Sequence, residues 1–410
     1  MICFFEDRLA LHFNPVALTR HVGELLVGSM TLRQRACRLL DDNDVILHGR
    51  RYIRTYYEQL GEPTRIPTGH VDPILFLNAR VPLEPGITER FPADGNWILR
   101  SGESIIAASL APDLARTLDL DSDALDFSNL EGVAHVDADI AIPEYLWDLI
   151  GITGRLIDSD AATLVSEAEG SAWPGVHLVA PERIMLGAGS RLHPGVVIDA
   201  SRGAVIIGPD VTIMPNAVVE GPCSIGTGST IKIGAKIYGH TSIGPWCKVG
   251  GEVENSIILG YSNKQHDGFL GHSYLGRWVN LGADTNTSDL KNNYGSIRVT
   301  LNGDPVDTGR MFLGSLVGDH AKTGINTMLN TGTVIGVAAN IFGGGFPPKV
   351  IPSFSWGGAD GFVEFDTDKG IELARRVMAR RNVAFTPADE EILRHIASRG
   401  FGIAGASAEK

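Results

Sequence analysis

A chain of 410 residues, 43% hydrophobic and 20% charged, is long enough for two or three globular units with buried cores. A formal net charge of -13 argues against a nucleic-acid partner, which must neutralise phosphates with clustered Lys and Arg, although small anions can still bind locally. No apolar run reaches the roughly 18 residues of a membrane span, and no basic stretch precedes the apolar residues of Met1 to Phe13, so a cytoplasmic protein without membrane contact is expected.

Ile2 to Phe5, Val45 to Leu47 and Ile74 to Leu77 are apolar runs of strand length, and Thr31 to Leu40 has helical spacing with Arg on its polar side. They predict a mixed α/β domain over residues 1–170, with its boundary between Ser159 and Gly175. Cys3, Cys37, Cys223 and Cys247 have neither CxxC nor zinc spacing and read as reduced, buried thiols.

Residues 176–357 carry an internal repeat. Ile207, Ile213, Val219, Ile225, Ile231, Ile237, Ile243 and Val249 recur every six residues, a period that fits neither a helix nor an alternating strand. Small residues, among them Ala217, Cys223, Ser229 and Ala235, stand four positions after these aliphatics and suit tight corners. Six residues make one short strand and its corner, and three such sides close a triangular coil, so Ile207, Ile225 and Ile243 are expected to stack. The ladder begins at Leu186, Leu192 and Ile198. It resumes after a slip of two residues as Ile257, Phe269, Leu275 and Leu281, with Asn263 in one inward slot, and ends with Val317, Thr323, Leu329, Ile335 and Ile341. Between 282 and 316 the period dissolves, and Asn302-Gly303 between two extended runs predicts a projecting hairpin. Over 358–410 a helical tail is expected, with Asp368 to Arg381 helical and Thr386-Pro387 starting a second helix with Asp389. It is expected to pack on the prism or on a neighbouring subunit.

From Tyr261 to Asp284 the sequence reads YSNKQHDGFLGHSYLGRWVNLGAD, followed by NNYG at 292–295, DTGR at 307–310, KTGINT at 322–327 and PSFSWGG at 352–358. This resembles the acetyltransferase half of the bifunctional N-acetylglucosamine-1-phosphate uridylyltransferase and glucosamine-1-phosphate acetyltransferase family, in its archaeal and alternative bacterial forms. The likeness implies a left-handed parallel β-helix of hexapeptide repeats, a nucleotidyltransferase-like α/β domain before it, a homotrimer, acetyl-CoA as donor and an amino sugar phosphate as acceptor.

In that family a His ahead of a Y-L-G hexad is the general base, and the resemblance places it at His266, three residues before Phe269. Imidazole titrates near neutral pH and can take the proton an ammonium must lose before attacking a thioester. The resemblance gives Asn280 a supporting catalytic role and gives Asn293 and Tyr294 contact with the amino sugar and cofactor; Lys264 beside the base is a candidate for the sugar phosphate, Phe269 stands at a sugar-contacting position, and Asn326 is a candidate donor to the thioester oxyanion. Arg298 and Arg310 are further candidates for phosphate by residue type. His272 is expected to matter much less than His266. The two, with Asp267, also form a weak metal candidate, because six residues put them on adjacent sides of a coil. Phe269 replaces a sugar-contacting Tyr of the family, the oxyanion-binding Ser is missing near Ile325-Asn326, and the usual phosphate-site Lys has no counterpart near Asn255 and Ser256.

Residues 14–22 and 28–35 resemble segments of the sugar nucleotidyltransferases, but Glu6-Asp7-Arg8 stands where their Gly-rich phosphate loop belongs. Asn78-Ala79 stands where a magnesium-binding Asp belongs. Arg8, Arg20 and Arg33 are then the candidate nucleotide ligands and Asp7 the candidate magnesium ligand, with UTP as the implied substrate. Two alternatives remain open: a nucleotidyltransferase that uses the β-helix only as a trimerising scaffold, and a noncatalytic assembly that binds sugar nucleotides.

Overall fold

The computed structural model describes residues 1–163 and 170–399. The N-terminal sheet contains β1 (Ile2–Phe5), β2 (Val45–His48), β3 (Ile74–Asn78), β4 (Trp97–Ser101), β5 (Ser104–Leu110) and β6 (Ala134–Asp137), side by side as β2-β1-β3-β5-β4-β6. The three expected strands are the parallel core, with β1 between β2 and β3. Every residue of β1 is buried, which explains an apolar run without alternation. Helix α1 (Leu32–Leu40) starts at Thr31, whose side chain forms a capping box with Gln34. Helix α2 (Arg51–Gln59) begins just beyond the carboxyl end of β2.

The repeat forms a three-faced parallel β-helix, and its third face alone stacks nine strands. Inward aliphatics stack coil on coil as expected, Ile207 on Ile225 and Ile225 on Ile243. The corner residues Ala217, Cys223, Ser229 and Ala235 are fully buried.

The register after Val249 differs from the sequence reading. The inward column runs Val249, Val253, Ile258, Lys264, Leu270, Leu275. Several sides there are shorter than six residues, so the phase shifts in steps rather than by a single slip. Ile257 and Phe269 consequently face outward, with Ile258 and Leu270 inside. Asn263 is likewise outside, and Lys264 occupies the inward slot.

Outward residues of the third face explain how the two parts join. Ile257, Leu259, Tyr274, Leu316 and Val334 pack in one apolar cluster with Leu146, Trp147, Leu149, Ile150 and Leu156 of helix α3 (Leu146–Thr163). The boundary expected between Ser159 and Gly175 therefore begins inside a docked helix, and part of it lies outside the described residues. The Tyr274 hydroxyl donates to the Leu26 carbonyl at 2.8 Å, giving a buried phenol its partner. The hairpin forms as expected, with Arg298–Leu301 antiparallel to Asp304–Asp307, and Ile297, Val299 and Leu301 join the same cluster.

The tail contains α4 (Thr367–Ala379) and α5 (Pro387–Ser398), and Thr386 caps α5 reciprocally with Asp389. It bridges both parts. Arg381 donates to Asn263 on the prism at 2.8 Å, and Tyr56 of α2 donates to Asp389 at 3.2 Å. Among the described residues no helix is long and apolar enough to cross a membrane.

Candidate functional site

Where the second face turns into the third, the chain runs Gly271-His272-Ser273 and His272 takes a left-handed φ of 44°. His272 Nδ1 lies 2.8 Å from a carboxylate oxygen of Asp289, with 21% and 13% of the two side chains exposed. Phe312 stacks on the imidazole at 5.1 Å between centroids. Gly271 makes this closeness possible: a Cβ there would stand 2.3 Å from the Asp289 carboxylate and 2.5 Å from the Phe269 ring. With its proton on Nδ1 the imidazole donates to Asp289, which fixes the tautomer and leaves Nε2 as the basic atom. A base held by an orienting carboxylate and partly shielded from water suits proton removal from an amine.

Asp289 and Phe312 were not among the residues expected from sequence. One signal was available: in His272-Ser273-Tyr274-Leu275-Gly276 a His stands just ahead of a Y-L-G hexad. His266 lies at the preceding corner, exposed, with Asn326 exposed further along that same corner. Asn280 is on the first face, where its side-chain oxygen accepts from the Asn263 side-chain amide at 3.3 Å. Asn293 and Tyr294 follow Asp289 in the loop that leaves the prism, and Tyr294 is 67% exposed. Phe269 flanks the His272 corner from the second face.

Several expectations require correction. Lys264 is 1% exposed inside the prism, and its Nζ donates to the carbonyls of Gly250, His266 and Asp267, so it pins a turn and does not reach out for phosphate. Burial brings its pKa down to about 8. Arg310 pairs with Asp148 of α3 at 2.7 Å and ties hairpin to helix, while Arg298 faces Asp307 within the hairpin. Arg20 is buried against Asp319 between the two parts, and Arg33 is paired with Glu24 and Glu62.

The N-terminal site is also rearranged. Asp7 accepts from Arg80 Nε at 3.0 Å and Nη2 at 2.5 Å and from Asn78 Nδ2 at 2.9 Å. Its oxygens are thus committed to a fully buried guanidinium, and magnesium cannot claim them without breaking that pair. Among the described residues no group of three His, Cys, Asp or Glu is placed to hold a metal ion. Glu6 is locked as well. Burial would raise its pKa, but the charges of Arg50 and His21 with hydrogen bonds from Arg50 and Val22 lower it to about 2.

Residues 2–169 match the family model described as sugar nucleotidyl transferase, and residues 204–232 match that of the bacterial transferase hexapeptide repeats. The chain is 30% identical over 228 residues to the bifunctional protein GlmU of Synechococcus elongatus, covering 50% of this chain and 46% of that one. It is 34% identical over 93 residues to a bifunctional sugar-1-phosphate nucleotidylyltransferase/acetyltransferase of Sulfurisphaera tokodaii, covering 23% of each. The chain spans about half the length of the GlmU relative. A solved UDP-N-acetylglucosamine acyltransferase aligns with 60% of this chain and all of its own, at 12% identity and a TM-score of 0.26.

Proposed function

We propose that this chain is a member of the bifunctional GlmU-like family and transfers an acetyl group from acetyl-CoA to the amine of an amino sugar phosphate such as glucosamine-1-phosphate. The observation that carries the reading is the His272–Asp289 pair at the rim of the prism.

In this reading His272 is the base, in place of His266. Its Nε2 takes a proton from the substrate ammonium, and the freed amine attacks the thioester carbonyl. The new C–N bond forms as the C–S bond breaks, and the coenzyme A thiolate leaves with the second proton, which the nitrogen sheds on becoming an amide. Asp289 stabilises the imidazolium formed on the way. Phe269 and Phe312 limit water around the base, and the exposed Asn293 and Tyr294 meet the sugar. Asn326 stands at another corner of the prism, so it joins this site only if a neighbouring protomer supplies it, which a homotrimer does. The N-terminal domain serves nucleotide-sugar formation in the same pathway.

The test is free-thiol release from acetyl-CoA by the full chain over a panel of amino sugar phosphates. Acetylation of none of them, with N-acetylated sugar absent by mass spectrometry, rejects the reading.

A further inference from the structure

The segment that returns from the hairpin holds both members of the His272–Asp289 pair by the backbone. Leu313 N–H donates to the Asp289 carbonyl at 2.8 Å, and Gly314 N–H donates to the His272 carbonyl at 2.9 Å. Phe312, bridged antiparallel to Leu290, lays its ring on the imidazole. Phe312, Leu313 and Gly314 therefore set where the base, its orienting carboxylate and its cover stand relative to one another.

The N-terminal domain holds that segment in turn. Arg310, just before Phe312, pairs with Asp148 of α3 at 2.7 Å. Gly151, one turn along α3, leaves room for this approach: a Cβ there would stand 2.9 Å from Arg310 Nη1. At the tip of the hairpin, Asn302 donates to the Leu11 carbonyl at 2.9 Å and accepts from the Asn14 side-chain amide at 2.8 Å. Between these two ends Ile297, Val299 and Leu301 share one apolar cluster with Leu146, Leu149 and Ile150 of α3.

We propose that Arg310 is a positioning residue for the His272–Asp289 pair, and that the N-terminal domain sets the geometry of the acyl-transfer base through Asp148. The inference rests on the acyl-transfer reading and extends it to the other domain. A general base acts only within hydrogen-bond reach of the proton it takes, and a displacement of about 1 Å caused by a distant change can cost about a hundredfold in rate. Arg310 acts through the backbone of residues 312–314 and not by contact with the reacting atoms. With 36% and 27% of their side chains exposed, Arg310 and Asp148 form a bridge that adds little to stability, so an effect on rate is separable from an effect on folding. The other oxygen of Asp148 accepts from the backbone N–H groups of Glu144 and Tyr145, each at 3.0 Å. Asn keeps an oxygen for those two donors and removes the charge that Arg310 needs.

The experiment is steady-state acetyl transfer by the full chain with the best acceptor of the amino sugar phosphate panel, read as free thiol against acetyl-CoA concentration. Arg310→Met and Asp148→Asn should each lower kcat about tenfold with KM for acetyl-CoA within about twofold of wild type, the pattern of a misplaced base. The double variant should lose no more than either single one, because both remove the same contact. Arg310→Lys, which keeps the charge, should recover most of the rate. Arg155→Met, which breaks a different ion pair of α3, with Glu84, should keep wild-type kcat. Amide exchange at Leu313 and Gly314 should quicken in Arg310→Met and Asp148→Asn while their urea midpoints stay at the wild-type value. A wild type that transfers acetyl with kcat undiminished in either variant, additive losses in the double variant, losses that track a fallen urea midpoint, or unaltered exchange at Leu313 and Gly314 would overturn this proposal alone. A wild type that acetylates none of the acceptors overturns the acyl-transfer reading and this proposal with it.

Discussion

His272 and Asp289 are 17 residues apart in sequence, yet His272 Nδ1 lies 2.8 Å from the Asp289 carboxylate, because one excursion around the prism brings the chain back beside its own previous coil. If this pair is the base and its orienter, His272→Ala lowers acetyl transfer by roughly a hundredfold or more, the usual scale for a general base. Asp289→Asn costs about ten- to a hundredfold by disturbing the tautomer and orientation. His266→Ala stays close to wild type. Steady-state thiol release on the three variants decides it, and a large loss confined to His266→Ala would restore the assignment made from sequence.

Arg20 and Asp319 join the two parts of the chain, with 4% and 7% of their side chains exposed. Asp319 also accepts from Thr19 at 2.9 Å and from the Arg277 backbone N–H at 2.8 Å. Asp319→Ala strands a buried guanidinium, a change that typically costs about 3–5 kcal/mol. Urea unfolding should show that loss, and a change below about 1 kcal/mol would mean that water or a second acceptor reaches Arg20.

Lys264 makes stability depend on pH. Its folded pKa is about 8 against an ordinary 10.5, so the unfolded chain keeps a proton that the folded chain releases. Between those values the unfolded state binds more protons, and stability rises with pH; below about 8 the buried charge is a standing cost. Lys322, also brought to about 8 by burial, acts in the same direction. Buried thiols and phenols with raised pKa values oppose the trend, so the difference between wild type and Lys264→Met isolates the lysine. Urea midpoints measured at about pH 7.5 and 10 should rise less in the variant than in wild type, and parallel responses would refute this.

Ile233 and Ile325 are 64% and 70% exposed, and both lie where the first face of the prism turns into the second. We expect that corner to be covered in a trimer. Light scattering at micromolar concentration should give three times the chain mass, and Ile325→Arg should lower both the mass and acetyl transfer. A monomer with full activity would exclude a shared site.

The β-helix was legible because its core is a local pattern. Each inward aliphatic follows its predecessor by one hexad, so burial of Ile207, Ile225 and Ile243 could be read without knowing any long-range contact. Strands β1 to β3, the Asn302-Gly303 hairpin and the Thr386 cap were readable for the same reason: each depends on a few adjacent residues. The register past Val249 was not, because coil sides shortened by one or two residues shift the phase in steps and Lys264 enters a slot that hydropathy assigns to an aliphatic. Only the tertiary structure could decide which polar residues are spent on the fold. Arg20, Arg310 and Asp7 look available in sequence, but each meets its counter-charge more than 70 positions away, at Asp319, Asp148 and Arg80. His272 is singled out in the same way, since the carboxylate that orients it and the ring that covers it arrive from an excursion whose path no hexad period describes.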